Sequence, residues 1–399
     1  MKRTRMPLAA TVAALLASTV ALAACDADAE PDAGADGPAA EAPAGLTEAG
    51  PPTCDTIWQR RGASFYDRAE PMVDSHDDRA EWTVAPPAAA GLDTAALAAG
   101  GDALAEHRGM RAVVVLRGGK LVYERYFRDG AANQSNNVHS ASKSILQALT
   151  GIAVADGKIK SLDAPISTYL PQYAAAGTPT GAITVRRLLG MSSGLDWRED
   201  ETEERIEESD DWVGAILGLA ENPAAGFNYS TGNTHVLSAV LQAATGTTTC
   251  AYAREKLFTP LGIMPERWTR DPQGVYAGGY NMYLTARELA RFGQLYLAGG
   301  VWQGKRVVPA ATVTQSRTIT AERVRQPGYR YASGWWATDA AGHAVNLAWG
   351  FGGQYVAVIP DLDLVVTTTQ NTQGDGDRAE YRELDIRDFL TRYVVPAVR

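Results

Sequence analysis

Strand-like segments lie at both ends of the globular part of this chain, with helical patterning between them. Residues 111–116 and 120–127 are joined by Arg117-Gly118-Gly119, which predicts a β-hairpin. Beyond residue 330, strand-like segments return at 331–336, 344–349, 355–359 and 364–369. Residues 160–300 show helical patterning broken by Pro and Gly, and residues 381–398 form a final amphipathic stretch. This order predicts an α/β (α+β) fold in which an antiparallel sheet is flanked by helices and a mostly helical subdomain is inserted.

The composition is that of a globular protein with a sizeable core. Of the 399 residues, 45% are hydrophobic and 21% are charged, and the net charge is −9. Outside the extreme N-terminus the chain has no cluster of Lys and Arg. Nucleic acid is therefore not an expected partner. The expected partner is a small molecule that binds in a cleft between the sheet and the helical part.

The first residues have the pattern of an export signal. Lys2, Arg3 and Arg5 precede a short apolar, Ala-rich run, which ends in Leu22-Ala23-Ala24-Cys25. We interpret residues 1–24 as a lipoprotein signal peptide and Cys25 as a lipidated cysteine. The protein is then exported and lipid-anchored to the outer face of the bacterial cell membrane. Cleavage after Ala23 with release, or retention of the run as an anchor, remain alternatives.

Residues 25–80 are predicted to be an acidic Ala/Pro/Gly-rich tether and lead-in, and residues 81–399 a single catalytic domain. Two further cysteines, Cys54 and Cys250, remain for this part of the chain. In an oxidising compartment they could form a disulfide, and two buried free thiols are the alternative.

The chemistry is predicted to centre on Ser140-Ala141-Ser142-Lys143, at the start of a helical stretch over 140–155. Residues three apart share one face of a helix, so Lys143 should lie beside the Ser140 hydroxyl. If Lys143 is buried its pKa falls, and a neutral amine can then take the proton from Ser140. Alternatively, Ser140 only caps the helix and Lys143 is solvated.

Two later segments accompany this motif in order. Tyr229 lies in the turn Phe227-Asn-Tyr-Ser-Thr-Gly-Asn-Thr, just before an apolar helix, where its hydroxyl can shuttle a proton to a leaving group. Residues 348–354 are dense in glycine, which lets a backbone approach a ligand closely. A backbone N–H here and that of Ser140 could form an oxyanion hole. A packing tyrosine and an ordinary turn are the alternatives.

The order of these motifs resembles the serine β-lactamase and penicillin-binding protein superfamily. Within it, residues 80–397 are most similar to the branch of class C β-lactamase-like esterases and 6-aminohexanoate-oligomer hydrolases. The resemblance implies that Ser140 is the nucleophile, Lys143 the general base and Tyr229 the proton shuttle. It also implies an oxyanion hole formed by the backbone amides of Ser140 and Phe351, with no metal or cofactor.

Two departures from the β-lactamase pattern bear on the substrate. β-Lactamases of this class carry Tyr-x-Asn, but here Thr231 takes the asparagine position and Asn233 follows two residues later. They also carry Lys-Thr-Gly, where this chain has Ala348-Trp349-Gly350. We expect Asn233, Trp349 and Gly350 to contact the substrate, which is then an ester or amide. A β-lactamase or D-amino-acid peptidase, and a non-catalytic lipid-anchored binding protein with the same cleft, are the alternatives.

Three other features are assigned structural roles. Gly190-Met-Ser192-Ser-Gly194 matches a nucleophile elbow, but it follows a helical-looking segment where the elbow needs a strand. The acidic run at 199–211 is interpreted as a solvated face, and attraction of amine-bearing substrates to the mouth of the cleft is the alternative. Trp335 and Trp336 either line a pocket or pack in the core.

Overall fold

The computed structural model describes residue 54, residues 72–73 and residues 82–399, except for 222–225, 325 and 373–382. The signal segment 1–24, Cys25 and most of the predicted tether lie outside the described residues. The strands are β1 (Met72–Val73), β2 (Met110–Arg117), β3 (Lys120–Tyr126), β4 (Gln134–Asn137), β5 (Arg267–Trp268), β6 (Met282–Leu284), β7 (Val301–Trp302), β8 (Lys305–Arg306), β9 (Arg330–Ala332), β10 (Trp335–Ala340), β11 (His343–Gly350), β12 (Gln354–Ile359) and β13 (Leu364–Gln370).

The helices alternate with these strands unevenly, and most fall in the middle of the chain. They are α1 (Thr94–Ala105), α2 (Ser142–Ala155), α3 (Val185–Leu189), α4 (Glu199–Glu207), α5 (Trp212–Leu217), α6 (Thr231–Thr245), α7 (Thr249–Ala253), α8 (Thr259–Leu261), α9 (Ala286–Leu297), α10 (Ala310–Gln315) and α11 (Ile386–Phe389). The α11 helix continues as a π-helical turn and a short 3₁₀ turn to Ala397.

The central sheet is antiparallel and joins the two ends of the domain. Its strand order is β3-β2-β13-β12-β11-β10-β9, so the N-terminal hairpin pairs with the last strand. In that pairing Val115 lies opposite Val366. The predicted antiparallel sheet is thus confirmed. The stretch 331–336 differs from the expected single strand, because Ser333 and Gly334 both take positive φ and form the turn between β9 and β10.

Both faces of this sheet are covered. Along β2, Ala112 and Val114 belong to the apolar cluster that contains the α2 and α9 side chains. Val113 and Val115 point the other way, into the cluster that holds α1 and the C-terminal helix. Alternate residues of a strand face opposite sides, which explains why β2 is a continuous apolar run.

The helical part, α3 to α8, lies between α2 and β5 in the chain and packs against α2. Side chains of α2 and α6, among them Ile145 and Val240, share one buried cluster. The structure joins Cys54 to Cys250, in α7, by a disulfide. In the part of the chain that the structure describes, no helix is both long and apolar enough to span a membrane. The α2 helix contacts α6 on the helical side, and α2 and the turn before it contact β11 of the sheet, so the start of α2 lies where the helical part meets the sheet.

Candidate active site

Ser140 lies in a tight turn that leads directly into α2. The turn is a 3₁₀ helix over His139–Ala141, and His139 has a φ of 45°, in the left-handed region. The Asn137 Oδ1 accepts the His139 N–H at 2.9 Å, and the Ser142 hydroxyl donates to the His139 carbonyl at 2.7 Å. These bonds hold the strained turn and place Ser140 at the N-terminal end of α2, where the helix dipole favours negative charge.

Lys143 is buried directly beside Ser140. Its side chain is one turn further along, and the residue is only 2% exposed. The Nζ atom lies 2.8 Å from Ser140 Oγ, 2.9 Å from Thr231 Oγ1 and 3.0 Å from the Gly279 carbonyl oxygen. Three partners therefore converge on one amine, which is held against the serine rather than solvated.

Thr231 connects this amine to a carboxylate. Its hydroxyl donates a short hydrogen bond to Glu199 Oε1, and its backbone N–H donates to Glu199 Oε2 at 3.1 Å. The indole Nε1–H of Trp197 donates to Oε2 as well. Glu199 begins α4 and is partly buried against the cavity. The interpretation of 199–211 as a solvated face is wrong for Glu199, because its carboxylate turns inward to these three donors.

Tyr229 is held over the same amine. Ser230 caps α6, since its hydroxyl accepts the Asn233 N–H at 3.0 Å, and this cap fixes the turn that carries Tyr229. The Lys143 Nζ lies 5.1 Å from the centre of the Tyr229 ring. On its other side the ring packs against Trp336, with the ring centroids 5.5 Å apart.

The end of β11 lies against the Ser140 turn. A Cβ on Gly350 would overlap the Val138 carbonyl oxygen and lie 3.1 Å from the Ala141 nitrogen. Only glycine permits this approach, so Gly350 allows the end of β11 to pack directly against the turn that carries Ser140. The next residue, Phe351, lies at the cavity with Ser140, and its ring makes an edge contact with His139 at 5.6 Å.

These side chains surround a cavity of about 640 Å³. Most of its wall is aromatic or acidic. The lining residues are His139, Ser140, Trp197, Arg198, Glu199, Glu201, Phe227, Asn228, Tyr229, Thr231, Tyr280, Gln326, Trp336, Trp349, Phe351 and Glu383. The Trp349 indole donates to Glu383 Oε1 at 2.6 Å, and burial raises the pKa of the Glu383 carboxyl.

His139 adjoins the nucleophile in sequence but is a neutral group in the fold. Burial, and then the nearby Lys143 charge, lower the pKa of its imidazole to about 3. Its Nε2 lies 3.0 Å from the Thr372 hydroxyl oxygen. The buried amine of Lys143, and not this imidazole, is the basic group in contact with Ser140.

Asn233 does not reach the cavity, contrary to its expected place at the substrate. It is 1% exposed on α6 and absent from the cavity lining. Residues two apart on a helix do not share a face, so Asn233 turns away when Thr231 faces the cavity. Ser192 also lies off the cavity, in a turn after the short helix α3. Trp335 is a core residue and Trp336 a cavity residue, because neighbours in a strand point to opposite faces.

The site residues to which the sequence analysis assigned no role include Trp197, Glu199, Gly279 and Glu383. Glu199 had a usable signal, since it begins the acidic run two residues after the aromatic Trp197. Gly279 and Glu383 had none, because their contacts come from distant parts of the chain.

Comparisons with known proteins identify the family of this chain. Residues 94–391 match the model of the beta-lactamase family. A 6-aminohexanoate-dimer hydrolase of Paenarthrobacter ureafaciens is 26% identical over 282 residues, covering 64% of this chain and 71% of that protein.

Among solved structures, the fold is similar to that of EstCE1, a hydrolase with promiscuous acyltransferase activity. The TM-score is 0.58 at 18% identity, with 74% of this chain and 99% of that one covered. It is also similar to a penicillin-binding protein homologue from Caulobacter crescentus, with a TM-score of 0.59 at 16% identity and coverage of 76% and 97%. The chain belongs to the beta-lactamase family and is a serine hydrolase.

Proposed function

We propose that the protein cleaves an ester or amide bond through an acyl-enzyme formed on Ser140. One observation carries the proposal: the buried Lys143 Nζ lies 2.8 Å from Ser140 Oγ and has two further partners. A charged ammonium can donate to all three oxygens. A neutral amine can donate to Thr231 and Gly279 and accept the Ser140 hydroxyl hydrogen. Both forms satisfy every partner, so a proton can move from Ser140 to Lys143 and back without rearrangement of the site.

The reaction then follows from these positions. Ser140 Oγ transfers its proton to Lys143 Nζ and bonds to the substrate carbonyl carbon. The backbone amides of Ser140 and Phe351 stabilise the resulting oxyanion. As the carbonyl re-forms, the bond to the leaving oxygen or nitrogen breaks, and Tyr229 passes the Lys143 proton to it. Water attacks the acyl-enzyme by the same route, which releases the acid and restores the Ser140 hydroxyl.

The end of β11 argues for an ester or amide over a β-lactam. Where β-lactamases carry Lys-Thr-Gly, with a lysine that grips the substrate carboxylate, this chain has Ala348-Trp349-Gly350 and so no cation, and the Trp349 indole N–H is bonded to Glu383. An aromatic ring and a carboxyl group favour a neutral or cationic substituent over an anionic one. We infer that β-lactamase or D-amino-acid peptidase activity is the weaker candidate. A relative is a 6-aminohexanoate-dimer hydrolase, so linear amides belong among the test substrates.

A fluorophosphonate probe followed by mass spectrometry tests the mechanism. We expect a single adduct on Ser140, its loss in Ser140→Ala and its retention in the matched variant Ser192→Ala. Labelling that survives Ser140→Ala would refute the proposal, and no labelling at all would favour a non-catalytic binding protein. Rates on p-nitrophenyl esters, nitrocefin and aminohexanoate dimers then separate esterase, β-lactamase and amidase activity.

We also propose that residues 1–24 direct export and that Cys25 is lipidated. The Leu22-Ala23-Ala24-Cys25 pattern supports this proposal, and the disulfide between Cys54 and Cys250 fits an oxidising compartment outside the cytoplasm. Mass spectrometry of the N-terminal peptide from the membrane fraction tests it. An unmodified Cys25 in a protein released to the medium would contradict it.

A further inference from the structure

We propose that Glu199 is a positioning residue that acts through Thr231 to reserve the Lys143 amine for Ser140. The inference rests on the proposed function, and it assigns a role to an acidic side chain that is hydrogen-bonded to Thr231, a partner of Lys143. The connection runs from Glu199 Oε1 to the Thr231 hydroxyl, from there 2.9 Å to Lys143 Nζ, and then 2.8 Å to Ser140 Oγ.

The direction of each hydrogen bond gives the argument. An ionised carboxylate only accepts, so the Thr231 hydroxyl gives its single hydrogen to Glu199. Thr231 can then offer Lys143 only a lone pair. When Lys143 is a neutral amine, its own lone pair cannot be taken by Thr231 and remains directed at the Ser140 hydroxyl. Without the carboxylate, the Thr231 hydroxyl could rotate and donate to Lys143, in competition with Ser140.

The carboxylate is itself fixed in place. Its Oε2 accepts the Trp197 indole N–H and the Thr231 backbone N–H, and it lies at the N-terminal end of α4, where the helix dipole favours a negative charge. Two other titratable groups lie near Lys143 in the described part of the chain. They are Tyr229, whose ring centre lies 5.1 Å from Nζ, and His139, which is neutral. Glu199 is the carboxylate that the Thr231 hydroxyl connects to this amine.

This arrangement also accounts for the departure at Thr231 from the asparagine of β-lactamases. A threonine hydroxyl can donate or accept, so by itself it leaves the direction of its bond to Lys143 open. The Glu199 carboxylate removes that freedom. We infer that Thr231 and Glu199 act as a pair, and that neither performs the role without the other.

The substitution Glu199→Gln reverses this direction while it preserves shape. Two N–H groups point at the Oε2 position, so the amide oxygen takes that place and the NH₂ faces Thr231. The Thr231 hydroxyl then accepts from the amide and turns its hydrogen to Lys143. We expect kcat/KM for a p-nitrophenyl ester, and the rate of fluorophosphonate labelling, to fall by about 10- to 100-fold. KM should stay unchanged.

The pH profile separates this role from a merely structural one. Removal of a negative charge connected to Lys143 disfavours its charged form, so the acid limb of kcat/KM should move to lower pH in Glu199→Gln. A structural loss would lower the plateau and leave the limb in place. Glu208→Gln is the matched control: it makes the same charge change at the exposed far end of α4, and we expect it to change neither the plateau nor the limb.

A double-mutant cycle tests the connection through Thr231. Thr231→Val should lower the plateau of kcat/KM as Glu199→Gln does, Thr231→Ser should restore it, and Glu199→Gln should not lower the plateau further in the Thr231→Val background. Equal effects of Glu199→Gln in both backgrounds would overturn the inference. If the fluorophosphonate labels Glu199→Gln as fast as the wild type, the role of Glu199 is refuted and the proposed function stands. If the wild type is not labelled at Ser140, the proposed function is refuted as well.

Discussion

The substitution Gly279→Ala tests whether the place of the Lys143 side chain sets the rate. The Gly279 carbonyl accepts from Lys143 Nζ, and a Cβ added to this glycine would lie 2.6 Å from Lys143 Cγ. Carbon atoms in contact are normally about 3.5–4.0 Å apart, so the lysine stem must move by about 1 Å. A misplacement of about 1 Å can lower a rate by about 10², which corresponds to about 2.7 kcal/mol of activation free energy.

The assay is steady-state hydrolysis of a p-nitrophenyl ester, with the thermal midpoint measured in parallel. We expect Gly279→Ala to lose about 100-fold in kcat with little change in KM, and to lose about 1–3 kcal/mol of stability from overpacking. Gly151→Ala is the control, because its added methyl would overlap Thr312, away from the cavity. It should cost stability and leave kcat unchanged. A folded Gly279→Ala protein with the wild-type kcat would refute the reasoning.

Three further predictions concern the disulfide, His139 and Glu383. The double substitution Cys54→Ser/Cys250→Ser removes a disulfide between residues 196 apart in sequence. Chemical denaturation should show a free energy of unfolding lower by about 2–5 kcal/mol, and ester hydrolysis should show an unchanged kcat. The pKa of His139 is about 3 in the fold and 6.5 when unperturbed, so between these pH values the unfolded chain binds a proton that the folded chain does not. The free energy of unfolding should therefore fall on acidification by up to about 1.4 kcal/mol per pH unit. His139→Asn should flatten that slope in denaturation curves at pH 4–6.5. Glu383→Gln should reduce the preference for a choline ester over its uncharged 3,3-dimethylbutyl analogue. Because burial raises the pKa of Glu383, the wild type should lose that preference on acidification while the pH is still above 4.5. Equal preferences in the two proteins would contradict the assigned subsite.

The parts of the fold that sequence could predict are those that depend on short-range pattern. The Ser140 and Lys143 pair follows from helical spacing, and β12 and β13 follow from β-branched runs bounded by turns. The antiparallel sheet followed from the position of those runs at both ends of the domain. In each case the residues that carry the signal are neighbours in the chain or repeat at a fixed period.

The remaining parts of the site depend on contacts between distant segments. The Gly279 carbonyl lies 136 residues from Lys143 in sequence, and Glu199 lies 32 residues from Thr231. The glycines at 350–353 were expected to approach a ligand, yet Gly350 approaches the Val138 carbonyl, a contact that no local pattern encodes. For Asn233 the missing information was the rotation of α6, since only the fold determines which face of that helix meets the cavity.

Proton transfer and substrate recognition are assigned to different parts of the chain around the cavity. The groups that hold Lys143 come from the helical part and the segment before β6, namely Thr231 and Gly279. The opposite wall comes from β10 and the end of β11, with Trp336 and Trp349. The hydrogen bonds described above for the amine come from Ser140, Thr231 and Gly279, none of which lies in the sheet wall, so a change of side chain in that wall leaves these three bonds in place. Substitutions in that wall should therefore change KM and substrate preference, whereas substitutions around Lys143 should change kcat for every substrate alike.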